Sequence, residues 1–168
     1  MFKIVDIIQF LISFFLIFPM VNFIHLCGHI FFATIFGGIE KKIVIGCGNK
    51  LFSIWRIELR KYYFWNGSCE FSSLKYDNRW TNTFIYLGGA IFNLLSMFFV
   101  NTLIYQGILN FSVFWKQFIY FSFYVLFFSI FPMSFSDGSP SDGKAVVLSV
   151  KKQHKDKITG DIQIKSKK

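Results

Sequence analysis

Two histidines stand four residues apart in an otherwise apolar run, Phe23-Ile24-His25-Leu26-Cys27-Gly28-His29-Ile30. On a helix such a pair lies one above the other on the same face, so both imidazoles can reach a single metal ion. An imidazole in hydrocarbon is expensive, and an ionisable group found there points to a function and to a partner. A hydrogen-bonded pair between packed helices accounts for two histidines as readily as a metal does, until a third ligand is found. The remaining histidine, His154, sits in a basic stretch and reads as solvated.

The elements that must position this pair are membrane helices. The chain has 168 residues, 54% of them hydrophobic and 25 of them phenylalanine, a composition far from that of soluble domains. This is the composition of an integral membrane protein, mainly α. Three spans are expected, at about 4–37, 82–105 and 111–132, with a short β-rich segment at 39–75 between the first and the second. The first exceeds the ~30 Å hydrocarbon thickness, is too long for a signal-peptide core, and is read as retained. Pro19 predicts a kink in it, and Gly37-Gly38 its end. In the β-rich segment, Gly48-Asn49 and Asn66-Gly67 are turn signals. Trp55, Tyr62, Tyr63, Trp65 and Trp80 suit the headgroup level. Residues 1–150 form one membrane domain, and 151–168 read as a basic cytosolic tail.

Charge placement orders the spans. The net charge is +9, and the Lys and Arg residues fall mainly in two blocks, one between the first two spans and one after the third. Apolar sequence separates these blocks, which argues against nucleic-acid binding and for membrane topology on an anionic leaflet. With an uncharged turn near 106–110, the positive-inside rule places the N-terminus outside and the C-terminus in the cytosol. The end of the first span then shares a side with the end of the third, where Asp137-Gly138 and Asp142-Gly143 stand. An aspartate is thereby available as partner to the histidines. Three cysteines, Cys27, Cys47 and Cys69, with no C-x-x-C spacing, indicate reduced thiols.

These features together resemble the site-2 protease family of intramembrane zinc metalloproteases. His25-Leu-Cys-Gly-His29 is similar to that family's H-E-x-G-H motif on the first core span. Lys42 to Gly48 resembles its Lys-Ile-x-Ile-Gly-x-Gly run. Gly89-Ala-Ile-Phe-Asn93 resembles Gly-Pro-x-x-Asn, with Ala in place of Pro. Ser129-Ile-Phe-Pro132 followed by Asp142-Gly143 resembles Asn-x-x-Pro and Asp-Gly, with Ser replacing Asn. The resemblance covers about residues 1–150 and rests on four imperfect motifs in the right order. It implies that His25, His29 and an aspartate bind Zn2+, leaving an open fourth position as in catalytic sites. Asp137 and Asp142 both stand as the third ligand. Asp142 is preferred for its Ser-Asp-Gly context and for the apolar Ala145-Val-Val-Leu148 that follows. Asn93 is implied as a substrate-binding residue, although a lone Asn in a span is also common polar glue between helices.

The largest departure is Leu26, where the family has glutamate. In the zincin mechanism that glutamate takes the proton of the attacking water and passes it to the leaving amine. General acid–base help is worth ~10²–10⁴-fold in rate, so hydrolysis is expected to be impaired while metal binding persists. Three functions follow. One is a metalloprotease-like protein acting on a membrane-embedded peptide near the cytosolic face of the cell membrane. Another is a pseudoenzyme that binds such a peptide or a partner protein through the same groove. A third is a small structural or immunity-type membrane protein without metal.

Overall fold

The computed structural model describes residues 3–135 and 138–151. Helix α1 (Ile4–Ile12), a π-helical turn (Ser13–Ile17) and helix α2 (Phe18–Ile35) run on as one apolar rod. At ~1.5 Å per residue its 32 residues reach ~48 Å, well beyond the hydrocarbon core. Pro19 has no N–H for the helical ladder, and the ladder widens to π spacing immediately before it. Ser13 adds to this by donating its hydroxyl to the Gln9 carbonyl at 2.6 Å, and its oxygen also meets the side chain of Gln117.

Strands β1 (Lys42–Ile54) and β2 (Ile57–Glu70) form an antiparallel hairpin. Val44 lies opposite both Glu58 and Ser68, so the first half of β1 is flanked by the two halves of β2 and three stretches lie side by side. The turn falls at Trp55-Arg56, with Trp55 at φ +52°. The expectation that Gly48-Asn49 and Asn66-Gly67 mark turns is therefore corrected, since both dipeptides lie inside the strands. Gly48 takes φ +83° there and bends β1 without ending it.

Helices α3 (Arg79–Tyr105) and α4 (Val113–Ile130) are the other two long apolar helices. Asn78 caps α3, its Oδ1 accepting from the Trp80 and Thr81 amides at 3.0 Å. These three helices lie within three residues of the expected spans at every end, and the described chain is a membrane-type helical bundle carrying one small sheet.

Two kinds of packing hold the bundle. An apolar layer joins Ile17, Val21, Val100 and Phe118, all buried, from the first, second and third long helices. Deeper along α2, small residues replace large ones. A Cβ on Gly88 would stand 2.6 Å from the Gly28 carbonyl oxygen, and one on Gly28 would collide with the Gly88 carbonyl. Only a glycine pair permits this approach of α2 and α3, and it brings the histidines against α3.

After α4 the chain turns back at Pro132. Ser141, 1% exposed, donates to the Phe131 carbonyl at 2.6 Å, accepts from the Met133 amide at 3.1 Å, and caps the Lys144 amide at 3.3 Å. Residues 142–151 are helical from that cap, as the apolar stretch after Asp142 leads one to expect. Gly143 lies against the Ile130 carbonyl, where a Cβ would collide. Ser141 and Gly143, on either side of Asp142, thus each have their own reason to be there. Asp137, His154 and the tail beyond residue 151 lie outside the described residues.

Candidate metal centre

His25 and His29 project from one face of α2, their ring centroids 4.7 Å apart and their planes nearly perpendicular. Asp142, at the start of the returning helix, reaches between them. His25 Nε2 lies 3.0 Å and His29 Nε2 3.6 Å from Asp142 Oδ2. Ligand atoms of these three side chains all lie within 4.8 Å of one another, the only such group of three or more His, Cys, Asp or Glu among the described residues. Asp142, the preferred aspartate, is the one found beside the histidines among the described residues, which do not include Asp137.

The outer nitrogens of both rings are held by α3. His29 Nδ1 lies 2.7 Å from the Ile85 carbonyl oxygen. A carbonyl only accepts, so Nδ1 carries the hydrogen and the neutral ring turns the bare lone pair of Nε2 toward Asp142. Two acceptors then face each other across 3.6 Å in a buried site, an arrangement that repels unless a positive charge lies between them. That charge is a proton or a metal ion. Ser129 on α4 donates to Asp142 Oδ2 at 2.6 Å, which orients the carboxylate as outer groups orient metal ligands elsewhere. Two imidazole nitrogens and a carboxylate oxygen, all oriented from behind, fit Zn2+ as three protein ligands.

Asn93, expected as a substrate contact, is fully buried, and its amide nitrogen lies 3.2 Å from His25 Nδ1. Gly89, one turn before it, is where the ring of His25 rests. A Cβ there would stand 2.5 Å from the ring atoms Cε1 and Nε2. Ile85, Gly89 and Asn93 recur every four residues and form the α3 stripe that carries the histidines. A backbone carbonyl leaves no trace in residue type, which is why Ile85 is not foreseen from sequence. Ser129 stands in the Asn-x-x-Pro resemblance, and that position was the available signal.

Leu26 is buried and turned to the sheet, its methyl group against Gly67 and its carbonyl accepting from the Cys69 thiol at 3.3 Å. Burial first, and then the neighbouring Cys27 and Asp142, push the Cys69 thiol up to about 12, so it stays protonated and serves as a donor, not as a ligand or nucleophile. Glu58 is the buried carboxylate of the sheet. Lys42 Nζ at 2.5 Å and Arg60 Nε at 2.8 Å occupy its two oxygens and hold it down to about 2, which makes it a poor base. Neither group offers a ready proton acceptor beside His25, His29 and Asp142.

Among known proteins, the chain is 42% identical over 146 residues to a protein of Bacillus subtilis (strain 168) called uncharacterized membrane protein YwmF, a match that spans 87% of this chain and 91% of that one. No protein-family model and no solved structure matches the chain.

Proposed function

We propose a function from one premise: the chain belongs to the family of the membrane protein YwmF. It is a site-2-protease-like, intramembrane zinc protein that acts on a membrane-embedded peptide, with hydrolysis impaired by Leu26. The observation that carries this reading is the convergence of His25, His29 and Asp142 from two distant parts of the chain. His25 and His29 would hold the ion through Nε2 and Asp142 through its carboxylate. When bound, zinc supplies a Lewis acid that polarises a peptide carbonyl.

The chain's own residues do the rest. Ile85, Asn93 and Ser129 orient the three ligands. The β-rich segment beside Leu26 can take an extended peptide as an added strand, which exposes a backbone that a helix hides. Leu26 offers no atom that accepts a proton, so binding of the peptide outruns its cleavage. The Lys and Arg residues of the hairpin and of the stretch from Lys144 support a site on the cytosolic side of the cell membrane and a cytosolic C-terminus.

Metal analysis of the purified protein tests the reading. The wild type is expected to retain about one zinc per chain, the stoichiometry of a three-ligand site. His25→Ala and His29→Ala are expected to lose it. A wild type without zinc, or a His29→Ala variant with undiminished zinc, would return the protein to the structural, metal-free class.

A further inference from the structure

Asn93 is fully buried, yet its carboxamide is only half used. Nδ2 faces His25 Nδ1 at 3.2 Å, while Oδ1 has no hydrogen-bond partner among the described residues. The inference drawn from this rests on the zinc reading of the site.

With Nδ2 donating, His25 Nδ1 is an acceptor, so the neutral ring carries its proton on Nε2 and donates it to Asp142 at 3.0 Å. A ring in that tautomer has no lone pair at Nε2 for a cation. The other neutral tautomer has one, but it carries the proton on Nδ1 and needs an acceptor there, on the side where fully buried Asn93 stands. Asn93 Oδ1 is the unpaired acceptor beside it. A half-turn of the carboxamide exchanges its two ends without changing its shape.

We propose that Asn93 is the positioning residue that lets His25 change tautomer, donating through Nδ2 when the ring donates to Asp142 and accepting through Oδ1 when Nε2 ligates zinc. No proton is gained or lost by the ring, since one neutral tautomer replaces the other. His29 needs no such device, because the Ile85 carbonyl already fixes its proton on Nδ1. The two histidines therefore differ: His29 is set for the metal in advance, and His25 is set by it.

The experiment compares zinc affinity, by chelator competition, in the wild type, Asn93→Leu and Asn93→Asp. Asn93→Leu removes the acceptor and is expected to weaken zinc binding ~10–100-fold, the usual cost of losing an outer partner of a ligand. Asn93→Asp keeps an acceptor and is expected to stay within a few-fold of the wild type. Equal loss in both variants, or none in Asn93→Leu, overturns the proposal. A second measurement uses the wild type alone, so it survives any folding defect of the variants. In 15N spectra of histidine-labelled protein, assigned with His25→Gln, zinc is expected to move the His25 proton from Nε2 to Nδ1. A proton that stays in place in zinc-loaded protein also overturns it. A wild type that binds no zinc sinks the site reading and this inference together, whereas zinc binding indifferent to Asn93 sinks the inference alone.

Discussion

Leu26 of α2 and Gly67 of β2 are fitted to each other: a Cβ on Gly67 would stand 2.6 Å from Leu26 Cδ1. Leu26 is thus a packing residue that ties the sheet to the helix of the histidines. Gly67→Ala is expected to cost about 1–3 kcal/mol by overpacking, since buried Leu26 must leave its rotamer. Leu26→Ala opens room for the added methyl, so the double variant should lose less than the sum of the two singles. Unfolding midpoints of the four proteins in detergent check this, and strict additivity would show that the two side chains do not meet.

Gly89→Ala tests the seat of His25. An alanine in mid-helix gains up to about 1 kcal/mol of helix propensity over glycine, so α3 itself has no reason to weaken. The new Cβ, however, falls within 2.5 Å of the His25 ring and must drive it away from Asp142. The expected result is a folded protein whose zinc affinity drops by at least ~10-fold, the scale of losing correct ligand orientation. Unchanged affinity in a folded variant would place the ring elsewhere.

The parts of the molecule differ in how far residue order reveals them. The long helices follow from composition, because a bilayer demands apolar runs of fixed length whatever they pack against. The His25–His29 pair follows from helical periodicity, and Asp142 from charge topology with its Ser-Asp-Gly setting. The turn at Trp55-Arg56 does not follow, since the strand pairing of Val44 with both Glu58 and Ser68 outweighs the stronger turn chemistry of Gly48-Asn49 and Asn66-Gly67. Nor do the contacts behind the ligands. Gly88 and Gly89 are neighbours of one residue type, and only the crossing of α2 with α3 separates the glycine that admits a backbone from the one that admits an imidazole.

Acid should loosen the sheet through Glu58. Its carboxyl is held down to about 2 in the folded protein, first by the hydrogen bonds from Lys42 and Arg60. An unfolded chain releases it to near ~4.3, so below that pH the unfolded state binds the proton more readily. The stability that the pairs contribute is therefore complete above about pH 4.3 and is lost as pH falls toward 2. Glu58→Gln should lower the thermal midpoint at neutral pH and make its decline over the acid window shallower. Parallel declines in the two proteins would remove Glu58 from this role.

Leu26→Glu tests the proposal that hydrolysis is held back at proton transfer. The substitution places a carboxylate on the residue next to His25, at the α2 position that holds glutamate in the resembling family. It also sacrifices the Leu26–Gly67 contact and buries a charge, so reduced stability is expected, with zinc content unchanged because none of the three ligands is altered. Against that cost stands a general base worth ~10²–10⁴-fold in rate. Co-expression with a membrane-embedded peptide should yield cleavage in Leu26→Glu, little in the wild type, and none in Leu26→Glu combined with His29→Ala. Wild-type cleavage equal to that of Leu26→Glu, and lost in His29→Ala, would mean that another group moves the proton and that Leu26 does not set the rate.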